Sequence, residues 1–255
     1  VAYTTQPMVA YFGGGDAARG FIYSAAVFAM VATAIFPIVF LSTREPPEDM
    51  GSAHFIGLAQ CWENVSRNRA FWVVIFAAIG GVMCSTVIGK SILYYYKYFL
   101  HDEAGARYAL VAYTGTGMFF VPVWVFLSNQ YLGKQRTWLV STVVVLLGLA
   151  YFALRDIQSS LEMLLLIAFL NIGTIGIWLT FWSMLPDTVE YGAWRTGVRV
   201  ESFTFGLGSF AQKVALGLAA GLFGAALDFV GYVPNVEQTP ETLAGMKAII
   251  VGFPS

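Results

Sequence analysis

Six stretches of this chain are apolar for about 18 to 30 residues each, which is the length a helix needs to cross the ~30 Å hydrocarbon core of a bilayer. They fall at Ala17–Leu41, Ala70–Phe99, Ala106–Leu127, Thr137–Leu154, Leu161–Leu185 and Ser202–Val230, and a seventh begins near Thr242 and runs to the end of the sequence. In lipid every backbone polar group has to be satisfied within the protein, so runs of this kind fold as helices. Only 11% of the 255 residues are charged and 58% are hydrophobic, against about a quarter charged in a soluble domain. These features predict an all-α, polytopic membrane protein with about six complete transmembrane helices and almost no strand.

The composition also narrows function. A net charge of -1 argues against nucleic-acid binding or a polybasic lipid-surface role. The two cysteines, Cys61 and Cys84, suggest neither a disulfide frame nor a metal site. The start lacks the basic region of a cleavable signal peptide. A chain that begins at Val1 and stops where an apolar run has barely opened reads as a piece of a longer protein.

Short polar connectors separate the spans. The longest, Ser42–Arg69, opens with the two-proline stretch "STREPPEDMGS" and continues into "HFIGLAQCWENVSRNR". There Phe55, Leu58, Ala59, Trp62 and Val65 recur at helical spacing, which predicts a short amphipathic helix at the membrane surface. That connector is read as a natural boundary between two halves, residues 1–41 and 70–255. Lys and Arg lean toward Ser42–Arg69, Ser128–Arg136 and Asp187–Arg199, which places those connectors in the cytoplasm by the positive-inside rule.

Against this apolar background the ionisable residues are the candidates for chemistry. Lys213 lies 12 residues after Glu201, some 18 Å along its helix from one end and about 25 Å from the other. A buried ammonium costs at least ~2.5–3.5 kcal/mol on insertion scales, so its survival points to a hydrated, protein-lined cavity. A neutral lysine within a helix interface is the alternative. Gly206, Gly208, Gly217, Gly221 and Gly224 on the same helix allow close packing or sliding, and Ser209 lies one turn from Lys213 on the same face. Lys90 is a second intramembrane lysine and a second candidate cavity residue. "GKS" around it lacks the upstream glycine of a phosphate-binding loop, since Cys84 stands there. The aromatic "YYYKYF" that follows reads as an interfacial belt.

The stretch "LPDTVEYGAWRTGVRVES" at Leu185–Ser202 gathers Asp187, Glu190, Arg195, Arg199 and Glu201. Asp187 and Glu190 can share a helix end, while Tyr191-Gly192 suggests a break into a turn. Arginines beside carboxylates favour bidentate pairs, and pairs at a transporter's rim can close and separate as a gate. A solvated loop of mixed charge is the simpler reading. Trp178, about 13 Å deeper along the preceding span, offers an apolar face and an N–H donor, which suits a sugar as well as plain packing.

Taken together, "DTVEYGAWRTGVRVES", a lysine in a glycine-rich span, "GYVPN", "GGGDAARGF" and "YYYKYFL" resemble the glycoside–pentoside–hexuronide:cation symporter family, the melibiose-permease-like branch of the major facilitator superfamily. The resemblance covers roughly residues 12–250. It implies twelve helices in two bundles: residues 1–41 would be helix six, the end of an N-terminal bundle otherwise missing from this chain, 42–69 the central cytoplasmic loop with its amphipathic helix, and 70–255 the C-terminal bundle with helices seven to eleven and the start of twelve. It implies alternating access around a central site. Substrate-binding residues would be Trp178, Ser209 and Lys213, with Lys213 also sensing the coupling cation. Asp187, Glu190 and Arg199 would form a cytoplasmic gate. The family's cation-binding carboxylates lie on the first five helices, outside this chain, and Ala193 stands where some relatives carry an acid.

These readings predict a transporter rather than an enzyme: a cation-coupled sugar symporter in a bacterial inner membrane. Its ligands would be a small sugar or glycoside and a monovalent cation (Na+, H+ or Li+) as co-substrate, with no further cofactor, no bound metal in this portion and no nucleic acid. The alternatives are a lipid-carrying or facilitative relative, a non-transporting sugar sensor, and an intramembrane transferase holding Mg2+–diphosphate on Asp187 and Glu190. The last wants two facing acid-rich clusters, and the sequence offers one.

Overall fold

The computed structural model describes residues 2–43, 56–234 and 236–253. No strand occurs among them. The two-proline stretch after Thr43, Phe55 of the amphipathic stripe, and Asn235 lie outside the described residues. The chain divides into two compact units, Val1–Phe55 and Ile56–Ser255.

The first unit is a helical hairpin of α1 (Ala2–Gly13) and α2 (Ala17–Ser42). Gly14 and Gly15 turn the chain with positive φ, and the Asp16 side chain caps α2 by accepting from the N–H groups of Ala18 and Arg19. Helix α2 is the span expected at Ala17–Leu41. Helix α1 is additional: its polar start and Pro7 gave no apolar periodicity to read.

The second unit comprises α3 (Leu58–Ser66), α4 (Arg69–Tyr98), α5 (Glu103–Leu127), α6 (Gly133–Leu154), α7 (Ser160–Thr196), α8 (Glu201–Phe229) and α9 (Pro240–Gly252). Polar caps set the starts. Asn68 accepts from Phe71 N–H at the head of α4, Asp102 from Gly105 at α5, and Thr239 from Thr242 at α9, with Pro240 in the first turn. Each satisfies a backbone donor that a helix leaves orphaned.

Two connectors differ from expectation. Ser128–Arg136 was expected to be a polar loop, but α5 passes through a π-turn (Ser128–Leu132) straight into α6. The reversal comes at Gly133, whose φ of 71° favours glycine. Chain direction follows from the contacts on α7. The Asn171 amide donates to the Tyr113 carbonyl of α5, and Gly117 faces Ile175, so α5 runs parallel to α7. On α6, Lys134 meets Asp187 and Arg155 meets Glu162, so α6 runs antiparallel.

The second correction concerns the charged patch. Tyr191-Gly192 does not break the helix: α7 continues for 37 residues to Thr196. It ends at Gly197, a left-handed C-cap with φ 74° and ψ 0°. Polar side chains at a helix end are solvated at no cost to the backbone ladder, so the charges did not mark a loop. At 1.5 Å per residue α7 is roughly 55 Å long, well beyond the hydrocarbon thickness. Its last turns, after Pro186, form a tail whose Thr188, Val189 and Gly192 are buried.

Helix α7 is the axis of the second unit, with Leu166, Leu170, Ile177, Phe181, Leu185 and Val189 all buried. Tyr95, Tyr96, Phe152 and Ile167 pack toward one end; Phe71, Ile75, Phe181 and Leu185 pack toward the Asp187 end. Hydroxyls inside spans return to the carbonyl one turn back, as Ser141 does to Thr137 and Thr204 to Val200. The outward surface carries Phe76, Met118, Phe119, Leu147, Leu154 and Leu161, all exposed. Such a surface is adapted to lipid rather than water. By length and composition, five helical stretches among the described residues can cross a membrane. One of them, Ala104–Leu154, doubles back at Gly133 and supplies two crossings.

Candidate functional site

Four helices of the second unit converge on a depression of about 370 Å³. Helix α4 contributes Ser85 and Thr86, α5 Tyr113, α7 Trp178, and α8 Gln212 and Lys213, with Val82 and Leu216 as the apolar remainder. Trp178 and Lys213, picked out separately in the sequence, thus share one wall. Trp178 is half-buried and makes an edge contact with Phe181, ring centroids 6.4 Å apart and planes at 81°. Lys213 is exposed on that wall, about 18 Å along α8 from Glu201.

Chemically the depression is amphipathic. Two aromatic rings, Trp178 and Tyr113, share it with the Lys213 ammonium, the Gln212 amide and the hydroxyls of Ser85, Thr86 and Tyr113. The Ser85 and Thr86 hydroxyls donate to the Val82 carbonyl at 3.0 and 2.7 Å, which leaves their oxygens as acceptors. Among the described residues no carboxylate lines this depression. A ligand with C–H faces and several hydroxyls matches such a lining better than a purely apolar one does.

The other candidates lie apart from it. Ser209 is half-buried, one turn nearer the α7–α8 junction, and does not line the depression. Lys90 is exposed on α4, one turn beyond Thr86. Of the α8 glycines, only at Gly208 would an added Cβ meet a neighbour among the described residues, 3.2 Å from Leu185; at Gly206, Gly217, Gly221 and Gly224 it would meet nothing within 4 Å.

At the end of the bundle Asp187 pairs with Lys134 of α6 and, among the described residues, not with an arginine. The ammonium donates to both carboxylate oxygens at 2.7 Å and to the Ser183 carbonyl at 2.9 Å. Pro186 lies between Ser183 and Asp187, so Lys134 brackets the proline. The pair forms one wall of a second depression, about 560 Å³, with Arg136, Thr188 and Tyr191 around it. Arg199 turns to Glu201, 3.1 Å away, across the α7–α8 junction. Arg195 donates to the Arg67 carbonyl at 2.8 Å. Glu190 is exposed and makes no ion pair among the described residues.

Sequence reading passed over Lys134 as a partner, because the two residues are 53 apart and only the antiparallel α6–α7 packing joins them. It also missed Ser85, Thr86, Tyr113 and Gln212. The signal available was a pair of hydroxyl residues interrupting the apolar run of α4 and an amide beside Lys213.

A short helix α3 is present, and Leu58 and Trp62 of its predicted apolar stripe are exposed. Val65, from the same stripe, is buried against the bundle together with Asn64, whose side-chain amide reaches the end of α7.

A bundle of long apolar helices with an apolar outward surface defines an integral membrane protein. The family model for MFS/sugar transport proteins matches residues 1–255, and the chain belongs to that family. It is similar to the isoprimeverose transporter of Lactiplantibacillus pentosus, 26% identical over 254 residues, covering 97% of this chain and 52% of the relative. It is also similar to a glucuronide carrier protein homolog of Escherichia coli, 27% identical over 229 residues, with coverage of 89% and 50%. A putative 2,3-dihydroxypropane-1-sulfonate exporter of Escherichia coli is 28% identical over 247 residues, with coverage of 94% and 52%. The chain spans about half the length of these curated relatives.

Proposed function

We propose that this chain is the C-terminal part of a cation-coupled sugar symporter that works by alternating access in a bacterial inner membrane. The observation that carries the reading is the shared wall of Trp178 and Lys213, brought together from α7 and α8. Trp178 stacks on the sugar's C–H face. Lys213 and Gln212 donate to its hydroxyls or to an acidic substituent, and Ser209 joins them when α8 shifts. Coupling arises if sugar and cation favour the same closed state, so that each raises affinity for the other. The cation's carboxylates would come from the partner bundle. Asp187, Glu190 and Arg199, with Lys134, form the cytoplasmic rim, where ion pairs exchange as the site opens inward.

The relatives' names support a sugar or glycoside as substrate. They also motivate a second reading, outward transport, since some are described as putative exporters. Uptake of labelled glycosides by cells making the intact protein, under imposed Na+, Li+ or H+ gradients, tests the proposal. Gradient-dependent accumulation supports symport. Equilibration without accumulation points to a facilitator, net efflux from preloaded vesicles to an exporter, binding without movement to a sensor, and lysophospholipid uptake in place of sugar to a lipid carrier.

A further inference from the structure

Thr188, Gly192 and Thr196 are spaced four apart, so they form one stripe along the α7 tail. Asn64 and Asn68 are also four apart and run along that stripe in the opposite direction. Asn68 Nδ2 donates to the Thr188 carbonyl at 2.7 Å. Asn64 Nδ2 reaches the Thr196 hydroxyl at 2.5 Å, the Val198 carbonyl at 2.7 Å and, more weakly, the Gly192 carbonyl at 3.5 Å. Both asparagines are almost wholly buried, at 3% and 2% exposure. Gly192 is required by this approach: a Cβ there would stand 2.7 Å from Asn64 Oδ1 and 2.9 Å from Asn68 Nδ2.

The tail is therefore held on two sides by contacts of different kinds. On the α6 side, the Lys134–Asp187 pair is 41% and 52% exposed, so it is hydrated, screened by salt and readily exchanged. On the α3–α4 side the hydrogen bonds come from two buried asparagine side chains: those to the Thr188 and Gly192 carbonyls are buried, those to Thr196 and Val198 are half-buried, and the exposed Arg195 guanidinium adds one to the Arg67 carbonyl; breaking the asparagine bonds strands their amide groups away from water. Between the tail and the body of α7 stands Pro186, which removes the backbone donor for the Trp182 carbonyl and weakens the helix there.

We propose that Asn64 and Asn68 are positioning residues that lock α3 and the head of α4 onto the α7 tail. The tail then pivots at Pro186 with α3 and parts from α6 when Lys134 releases Asp187. The proposal rests on the transport reading for its consequence, but the attachment itself can be measured without it.

The test uses the intact protein, with Cys61 and Cys84 replaced by serine and two engineered cysteine pairs. In one, Asn64→Cys and Thr196→Cys tie α3 to the tail; in the other, Lys134→Cys and Asp187→Cys tie α6 to it. Oxidation of the first pair is expected to leave glycoside uptake near that of its reduced form, and oxidation of the second to abolish it reversibly. Loss of uptake on locking the first pair, or full uptake with the second locked, overturns the proposal. In parallel, Asn64→Ala and Asn68→Ala are expected to speed amide exchange across residues 187–198 by about tenfold while α6 is unchanged. The milder Asn64→Ser serves where alanine variants fail to accumulate. Turnover per sugar-binding site is expected to fall in these variants with sugar affinity retained, which a purely structural role would not produce. Unchanged exchange in the tail overturns the lock; absence of uptake by the unmodified protein strikes the transport reading alone, and the exchange result still decides the attachment.

Discussion

The Lys134 ammonium lies 2.7 Å from both carboxylate oxygens of Asp187 and 2.9 Å from the Ser183 carbonyl. It thus joins residues on both sides of Pro186. Both members are about half exposed, so the pair contributes only ~0.2–1 kcal/mol to stability. Its expected importance is in transport. Lys134→Ala and Asp187→Asn should each slow uptake severalfold while leaving the unfolding temperature within a few degrees. Exchanging the charges, Lys134→Asp with Asp187→Lys, should recover part of the rate. A charge swap no better than the single variants would show that the pair is not exchanged during the cycle.

Trp178 supplies the aromatic wall of the depression. Trp178→Ala should weaken glycoside binding by roughly tenfold, the factor that ~1.4 kcal/mol represents. Trp178→Phe should retain most of the affinity through its remaining ring. Equilibrium binding of a labelled glycoside to the purified protein measures both. Equal affinity in all three forms would remove the ring from the site.

Asp102 links the α4–α5 turn to α7. Its carboxylate accepts from the Ser160 hydroxyl at 2.6 Å and the Gly105 N–H at 2.8 Å. The Ser160 hydrogen bond, followed by the one from Gly105, holds its pKa below the usual carboxylate range. A depressed folded-state value means that the contribution is present above the unfolded pKa of about 4 and is lost as pH falls through the lower, folded value. Thermal unfolding followed from pH 6 to pH 3 should therefore fall less steeply for Asp102→Asn than for the parent. Superimposable pH profiles would contradict this.

Gly197 ends α7 in the left-handed region, with φ 74°. Gly197→Ala should destabilise the protein by roughly 1–2 kcal/mol, whereas alanine at exposed, right-handed Gly206, which meets nothing within 4 Å, should be neutral or slightly stabilising. Thermal unfolding of both variants in detergent tests the contrast.

The spans of the second unit were legible because lipid demands long apolar helices. Helix α4, expected over Ala70–Phe99, occupies Arg69–Tyr98, and α8, expected over Ser202–Val230, occupies Glu201–Phe229. What charge concealed was continuity. The polar residues around Lys134 and Glu190 look like loops, yet both stretches are helical because polar side chains do not interrupt a backbone ladder outside the bilayer. The true breaks, Gly133 and Gly197, depend on φ, which the sequence hints at only through the glycine itself. Trp178 and Lys213 were legible as isolated oddities. Their shared wall, the Lys134–Asp187 pair and the two asparagines on the α7 tail depend on packing between segments far apart in the chain, which periodicity does not report.

The most direct test of the central claim is glycoside accumulation by the intact protein carrying Lys213→Ala, compared with the parent at equal membrane abundance and under the same imposed cation gradient. The parent is expected to concentrate the sugar and the variant is not. Accumulation by the variant at the parent's level would contradict the claim.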